Sequence, residues 1–217
     1  MTTRARTQPL AEHRRRAAST AQTFLSLPNA VILGVETTGI TIEDQAVEIA
    51  VIDSNGRPAL NSLVNPGHPI SPSASRVNGL TQIDIEAAPT TARLEPRVRQ
   101  ALENSAIAAY NAPFAIGRLQ HTIREAGFPN IEHSPGRPLC VMRLFAQWTG
   151  EWIPAKNGYR WHTLEQALQL SGLKQPTEPG ALPHARHALA ILRYLASHAQ
   201  GAPRAMTEPK AVTMNMK

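Results

Sequence analysis

Few side chains in this sequence could do chemistry, and they are scattered. Glu36 ends an apolar run directly before Thr37-Thr38-Gly39. A carboxylate there can hold a single metal ion weakly, accept hydrogen bonds from the turn, or pair with a neighbouring cation. His184 and His187, three apart on an expected helix, share one face and could form a small transition-metal site with Glu36; as surface or cap histidines they would do no chemistry. Cys140 is the only cysteine, which excludes a disulfide framework or a cysteine-rich zinc site within one chain, and no motif beside it activates a thiol. All three tryptophans lie between Trp148 and Trp161, with Trp152 among them, interleaved with Lys156, Tyr159 and Arg160. That mixture suits base stacking with phosphate contact, or a protein interface, whereas a small core under a long loop would account for Trp148 and could take in Trp161 as well. Arg14-Arg15-Arg16 is either a solvated charge run or a sequence-independent phosphate contact.

The chain that must position these groups has 217 residues, 42% apolar and 18% charged, enough for one domain with its own core. Its apolar stretches break well short of the roughly 18–20 residues of a membrane span, and the arginine-rich start lacks the apolar core of a signal peptide. A soluble cytoplasmic protein without membrane association is expected. The formal charge of +6 divides into +4 over residues 1–30, +2 over 201–217 and zero over 31–200. Any grip on phosphate should therefore come from the arms or from local patches. We expect a basic arm over 1–28, flexible or ordered by a partner, in which residues 11–25 could form a short helix with only a weak apolar face, then one folded domain over 29–200 and a tail over 201–217.

Ala30 to Val35 is a β-branched run ending in a turn, the mark of a buried strand, and a second strand follows at Ala46 to Asp53. Asn55-Gly56 predicts a hairpin to a third strand at Ala59 to Val64. A loop over Asn65 to Pro72 then gives way to a helix over Thr90 to Leu102, a strand over Ala106 to Tyr110 and a helix over Phe114 to Ala126. A short strand at Pro138 to Met142 leads into a helix through Trp148, and further helices are expected at Thr163 to Leu170 and Pro183 to His198. Three antiparallel strands followed by βα units predict an α/β fold, a mixed sheet of about five strands with helices on both faces.

Five segments in order resemble the DnaQ-like (DEDDh) 3′–5′ exonucleases of the ribonuclease H-like superfamily. Val35-Glu-Thr-Thr-Gly39 with Ala46-Val-Glu-Ile-Ala-Val-Ile-Asp53 resembles the first exonuclease motif, and Arg76-Val-Asn-Gly-Leu-Thr81 the V-H-G-I-T element. Tyr110-Asn-Ala-Pro-Phe-Ala-Ile-Gly-Arg-Leu119 resembles the second motif, H-N-A-x-F-D-x-x-x-L. Thr163 to Leu168 resembles the helix before the third motif, and His187-Ala-Leu-Ala-Ile-Leu192 falls where that motif's D-A-x-x-x-A belongs. The resemblance covers about residues 30 to 198 and implies the ribonuclease H-like fold.

The resemblance also implies a chemistry: two divalent cations held by four acids, with a histidine as general base. Matched residue by residue, the first acid corresponds to Gly34, the second to Glu36, the third to Ala115, the fourth to His187 and the general base to Leu182. Only Glu36 is kept. Replacement acids are scarce, since the chain's three aspartates are Asp44, Asp53 and Asp84, all at positions suited to turns or caps. Tyr110 stands where the family has histidine and, with Asn111, would lie beside the substrate groove. We therefore expect a pseudo-exonuclease with no catalytic residues and no cofactor. It would act as a nucleic-acid-binding or scaffolding subunit, meeting single-stranded DNA or RNA and protein partners in a replication, repair or mobile-element defence complex. Contacts are expected from Tyr110, Asn111, Trp152, Lys156, Tyr159, Arg160, Trp161 and Arg14 to Arg16. The alternatives are an active exonuclease rewired around Glu36, His184 and His187, using Mg²⁺ or Mn²⁺, and a purely protein–protein scaffold.

Overall fold

In the computed structural model, which describes residues 10–134 and 136–199, a five-stranded sheet is built around β1 (Ala30–Thr37). β2 (Ala46–Asp53) pairs antiparallel with β1, and β3 (Pro58–Leu63) antiparallel with β2; β4 (Ala106–Ala109) runs parallel to β1 and β5 (Leu139–Cys140) parallel to β4. The order is β3-β2-β1-β4-β5. The hairpin after β2 is closed by Asp53, whose Oδ1 accepts from the Asn55 and Arg57 amides at 2.9 and 2.8 Å, while Gly56 takes the left-handed turn position at φ 91°.

Alternation along β1 sorts its side chains between two cores. Ala30 and Ile32, with Ile52 and Ala108, face α1 (Leu10–Leu25), α6 (Val141–Thr149), α7 (Leu164–Leu170) and α8 (Ala181–Ser197). Val31 and Leu33, with Ile49, Val51, Leu60 and Ile107, face α4 (Thr91–Leu102) and α5 (Ala112–Glu125). Helices thus cover both faces, as expected. Thr90 and Thr163 cap α4 and α7, each accepting from the amide of the helix's third residue, Arg93 and Gln166.

Three details depart from expectation. α2 (Pro72–Asn78) and α3 (Gln82–Glu86) occupy a stretch with no helical periodicity, because each buries a single residue, Asn78 or Ile85. Capping defines them instead: Ser71 Oγ accepts from the Ala74 amide, and Thr81 and Asp84 form a capping box. β5 is shorter than expected, since α6 begins at Val141. A small hairpin, β6 (Trp152–Ile153) and β7 (Gly158–Tyr159), follows α6.

The largest correction concerns the stretch expected to belong to a flexible arm, because Leu10–Leu25 is a helix packed across α8 and α6. Ala17, Ala18 and Ala21 are fully buried and Phe24 nearly so. Small residues let the helix backbones approach closely, yet they carry little weight in a periodicity reading. Leu10 covers Gly150, where a Cβ would lie 2.2 Å from Leu10 Cδ1. The arginine triplet is also occupied. Arg14 lies 5.6 Å over the Trp148 ring and its Nε donates to the Trp148 carbonyl at 3.3 Å, while Arg15 and Arg16 donate to Glu12. Residues 1–9 and the tail from 200 onward lie outside the described residues. Among the described residues no helix is long and apolar enough to cross a membrane.

Candidate functional site

The alternation that sorts the cores also brings Gly34 and Glu36 to the face covered by α8. Strand register sets Glu36 directly opposite Glu48 of β2, so two carboxylates meet on that face. Glu36 is 7% exposed. Two features of α8 answer them: His184 Nδ1 lies 2.9 Å from Glu36 Oε1, and the Ala181 amide donates to Glu48 Oε2 at 2.9 Å. Gly180, at φ 127°, turns the chain into the helix beside Glu48.

The electrostatics follow from this packing. Contact with Glu36 raises the His184 pKa despite burial, and the charges of Glu165 and Glu48 add to the rise. Burial also raises the Glu48 carboxyl, with the neighbouring Glu36 charge in the same sense and the Ala181 amide opposing. Burial lowers His187, and the charge of His184 lowers it further. Because the folded protein holds His184 protonated above its ordinary value, the Glu36 contact contributes stability that is full below about pH 6.5 and is lost as pH rises through the raised value. Glu48, harder to ionise when folded, erodes stability in the same direction as pH rises. His162 and His187, held down by burial, act oppositely only below about pH 6.5. Urea midpoints should therefore fall as pH rises above about 6.5, and His184→Gln should flatten that slope; an unchanged slope would sink the assignment.

Above the pair opens a groove of about 490 Å³ at the C-terminal ends of β1 and β4. Its walls are largely apolar, with Leu33, Val35, Phe114, Ala115, Met142 and Leu164 beside Tyr110 and Asn111. Ile40 and Val77, 89% and 75% exposed, stand at its rim with Trp161, 60% exposed. The Arg143 guanidinium lies 5.8 Å over the Trp161 ring. Tyr110 helps fix the wall: its hydroxyl donates to the carbonyls of His162 and Thr163, both at 2.8 Å, and burial pushes its pKa up.

The expected site residues divide. Gly34, Glu36, Tyr110, Asn111, Ala115, Trp161 and His184 line the groove; Leu182, His187, Trp152, Lys156, Tyr159 and Arg160 do not. The imidazole that meets Glu36 is His184, not His187, because the way α8 is seated on β1 decides which turn faces the carboxylate. Leu182 packs against the core beneath α8. Trp152 and Tyr159 stack edge to face at 5.3 Å on the β6–β7 hairpin, Tyr159 also meets His13 of α1, and Arg160 pairs with Glu151 at 2.9 Å. Trp148 is core, 3% exposed. The aspartates serve turns and caps as expected: Asp44 accepts from the Thr38 hydroxyl and the Thr41 amide, Asp53 closes its hairpin and Asp84 its capping box. Glu48, Arg143, Ile40 and Val77 escaped the sequence reading. Glu48 alone left a signal, as the one charge of β2 apart from Asp53 at its end.

The donor set can be tested against the two dications that the exonuclease resemblance implies. Gly34 and Ala115 offer no ligand atom. A Cβ at position 34 would lie 2.0 Å from the Ala181 carbonyl oxygen, so no side chain can branch there with α8 in place. Glu36 faces His184, Glu48 holds Ala181, and the aspartates are committed elsewhere. Among the described residues no three His, Cys, Asp or Glu side chains are grouped to hold a metal ion, and His187 does not complete a set with Glu36 and His184. The residues present do not fit a pair of hard cations, which need several converging carboxylates.

Comparison with known proteins places this geometry in a family. The RNase_T exonuclease family model matches residues 31–164. The uncharacterized exonuclease CP81 of Escherichia phage 186 is 31% identical over 171 residues, covering 76% of this chain and 87% of that protein. A DNA polymerase III subunit epsilon-like protein of Rhodobacter capsulatus is 36% identical over 101 residues, 43% of this chain but 14% of that protein. Among solved structures, exonuclease X in complex with 5′-overhanging duplex DNA superposes with a TM-score of 0.53 at 22% identity, covering 79% of this chain and 94% of that one. The nuclease domain of 3′hExo, a DEDDh family member bound to rAMP, gives 0.56 at 12% identity, covering 82% and 96%. The chain belongs to the RNase_T exonuclease family and carries the ribonuclease H-like fold of the DnaQ-like exonucleases.

Proposed function

We propose that this exonuclease-family protein does not hydrolyse nucleic acid but binds single strands in the groove, as a subunit of a nucleic-acid-processing complex. One observation carries the reading: the position of the family's first acid is filled by the backbone of α8, 2.0 Å from where a Cβ would stand. Retention of the groove without the acids leaves binding as its use. Its walls suit unstacked bases, and Trp161 with Arg143 offers a stacking face beside a positive charge. The similar structures of exonuclease X with DNA and of the 3′hExo nuclease domain with rAMP support a nucleic-acid ligand. The exposed Ile40 and Val77 at the rim support a protein neighbour in the assembled complex.

Fluorescence anisotropy with a labelled oligothymidine and an oligouridine tests the binding. Saturable association is expected, weakening with salt as phosphate contacts are screened. Trp161→Ala should weaken it by roughly tenfold, the loss of one base stack. Trp152→Ala, on the hairpin outside the groove, should leave it unchanged. Absence of binding at low salt, or equal effects of the two substitutions, would refute a single-strand groove.

A further inference from the structure

We propose that α8 supplies a built-in counter-charge, the His184 side chain together with the first amide of the helix, that neutralises Glu36 and Glu48 in place of metal cations. This rests on the reading of the groove as non-hydrolytic, but it concerns the groove's floor and not its ligand. Two carboxylates set opposite each other on neighbouring strands, one of them almost fully buried, are costly to keep ionised without positive charge beside them. In a two-metal nuclease dications answer that need. Here each carboxylate has a partner from α8 at 2.9 Å: His184 Nδ1 for Glu36 and the Ala181 N–H, at the positive end of the helix dipole, for Glu48. The same seating puts the Ala181 carbonyl on Gly34, so the absence of a side chain at 34 and the arrival of the counter-charge are one packing event. Glycine at 34 is then a requirement of the helix position and not merely a lost acid.

The groups facing His184 agree with this role. Glu36 comes from β1, Glu48 from β2 and Glu165 from α7, three acids against the single neighbouring His187. A consequence is that ligand binding in the groove needs no divalent ion and survives chelation.

The test needs no nucleic acid, so it can fail independently of the binding reading. Thermal unfolding of the full chain is compared with and without millimolar MnCl₂ for the wild type, His184→Ala, and His184→Ala combined with Glu36→Gln. The wild-type midpoint should not respond to Mn²⁺, and calorimetric titration with MnCl₂ should show no saturable heat. His184→Ala should lower the midpoint by roughly 5 °C through the uncompensated carboxylate and should recover part of the loss in Mn²⁺. Adding Glu36→Gln should restore stability and abolish the Mn²⁺ response. Stoichiometric Mn²⁺ binding by the wild type, an unaffected His184→Ala, or a double variant no better than the single one would each overturn the proposal. If His184→Ala does not fold, a folded double variant supports the counter-charge and an unfolded one refutes it.

Discussion

Gly34→Asp, which would return the family's first acid to its place, should destabilise the protein by about 4 kcal/mol or more and restore no hydrolysis. Overpacking a filled site costs about 1–3 kcal/mol, and a further buried carboxylate with no cation of its own adds several more. The obstruction at position 34 is all backbone: the Ala181 oxygen and carbon at 2.0 and 2.9 Å, and the Ala185 nitrogen at 3.2 Å. Backbone cannot swing aside as a side chain can, so the helix itself must move. Gly34→Ala separates the two costs, because it keeps the steric conflict and omits the charge. Ala115→Asp, at a position that lines the groove but is itself buried, also buries a carboxylate and should cost less than Gly34→Asp. Urea denaturation measures all three; a Gly34→Asp variant as stable as the wild type would mean that α8 yields easily and that the first acid is absent for another reason.

Removal of residues 1–25 should unfold the domain or lower its thermal midpoint by more than roughly 10 °C. α1 is part of the main core through Ala17, Ala18, Ala21 and Phe24, and truncating a buried phenylalanine alone costs about 3 kcal/mol or more. Deletion would also strip Arg14 from the face of Trp148, His13 from Tyr159 and Leu10 from Gly150. The apolar faces of α6 and α8 would then meet water. Circular dichroism melting of the shortened chain checks this, and a melting curve matching that of the full chain would show that α1 is dispensable. The same deletion is unsuitable as a probe of nucleic-acid contact by the arginine triplet, because loss of binding would follow from loss of fold. Charge substitutions at Arg15 and Arg16, which are exposed, serve that purpose.

The sheet was legible in the sequence wherever side-chain type and strand pairing say the same thing. The β-branched run from Ala30, the Asn55-Gly56 turn and the threonine caps at Thr90 and Thr163 each have a local physical cause, and each stands where expected. A short helix could be read over the stretch of α1, but not its packing, because its buried face is mostly alanine, whose burial depends on α8, far away in sequence. The same limit explains the histidines. His184 and His187 share a helix face, and counting along the motif favours His187. Which imidazole reaches Glu36 is set by where α8 begins, and that depends on the Gly180 turn and the Glu48 tether to Ala181. The tryptophan cluster separates for a similar reason: Trp148 is core, Trp152 belongs to a hairpin braced on α1, and Trp161 reaches the groove with Arg143. Spacing within fourteen residues carried no information on three different neighbourhoods. The aspartates, whose partners are all close in sequence, were read correctly as turn and cap residues.

The central claim, a nuclease fold that holds nucleic acid without cutting it, is tested most directly by incubating the purified full chain with 5′-labelled single-stranded DNA and RNA in Mg²⁺ and in Mn²⁺. Products are resolved on a denaturing gel beside a native gel of the same mixtures. Full-length label is expected on the denaturing gel at every time point, with a shifted complex on the native gel, unchanged by EDTA. Metal-dependent shortening of the strand from its 3′ end, abolished by Glu36→Ala, would contradict it.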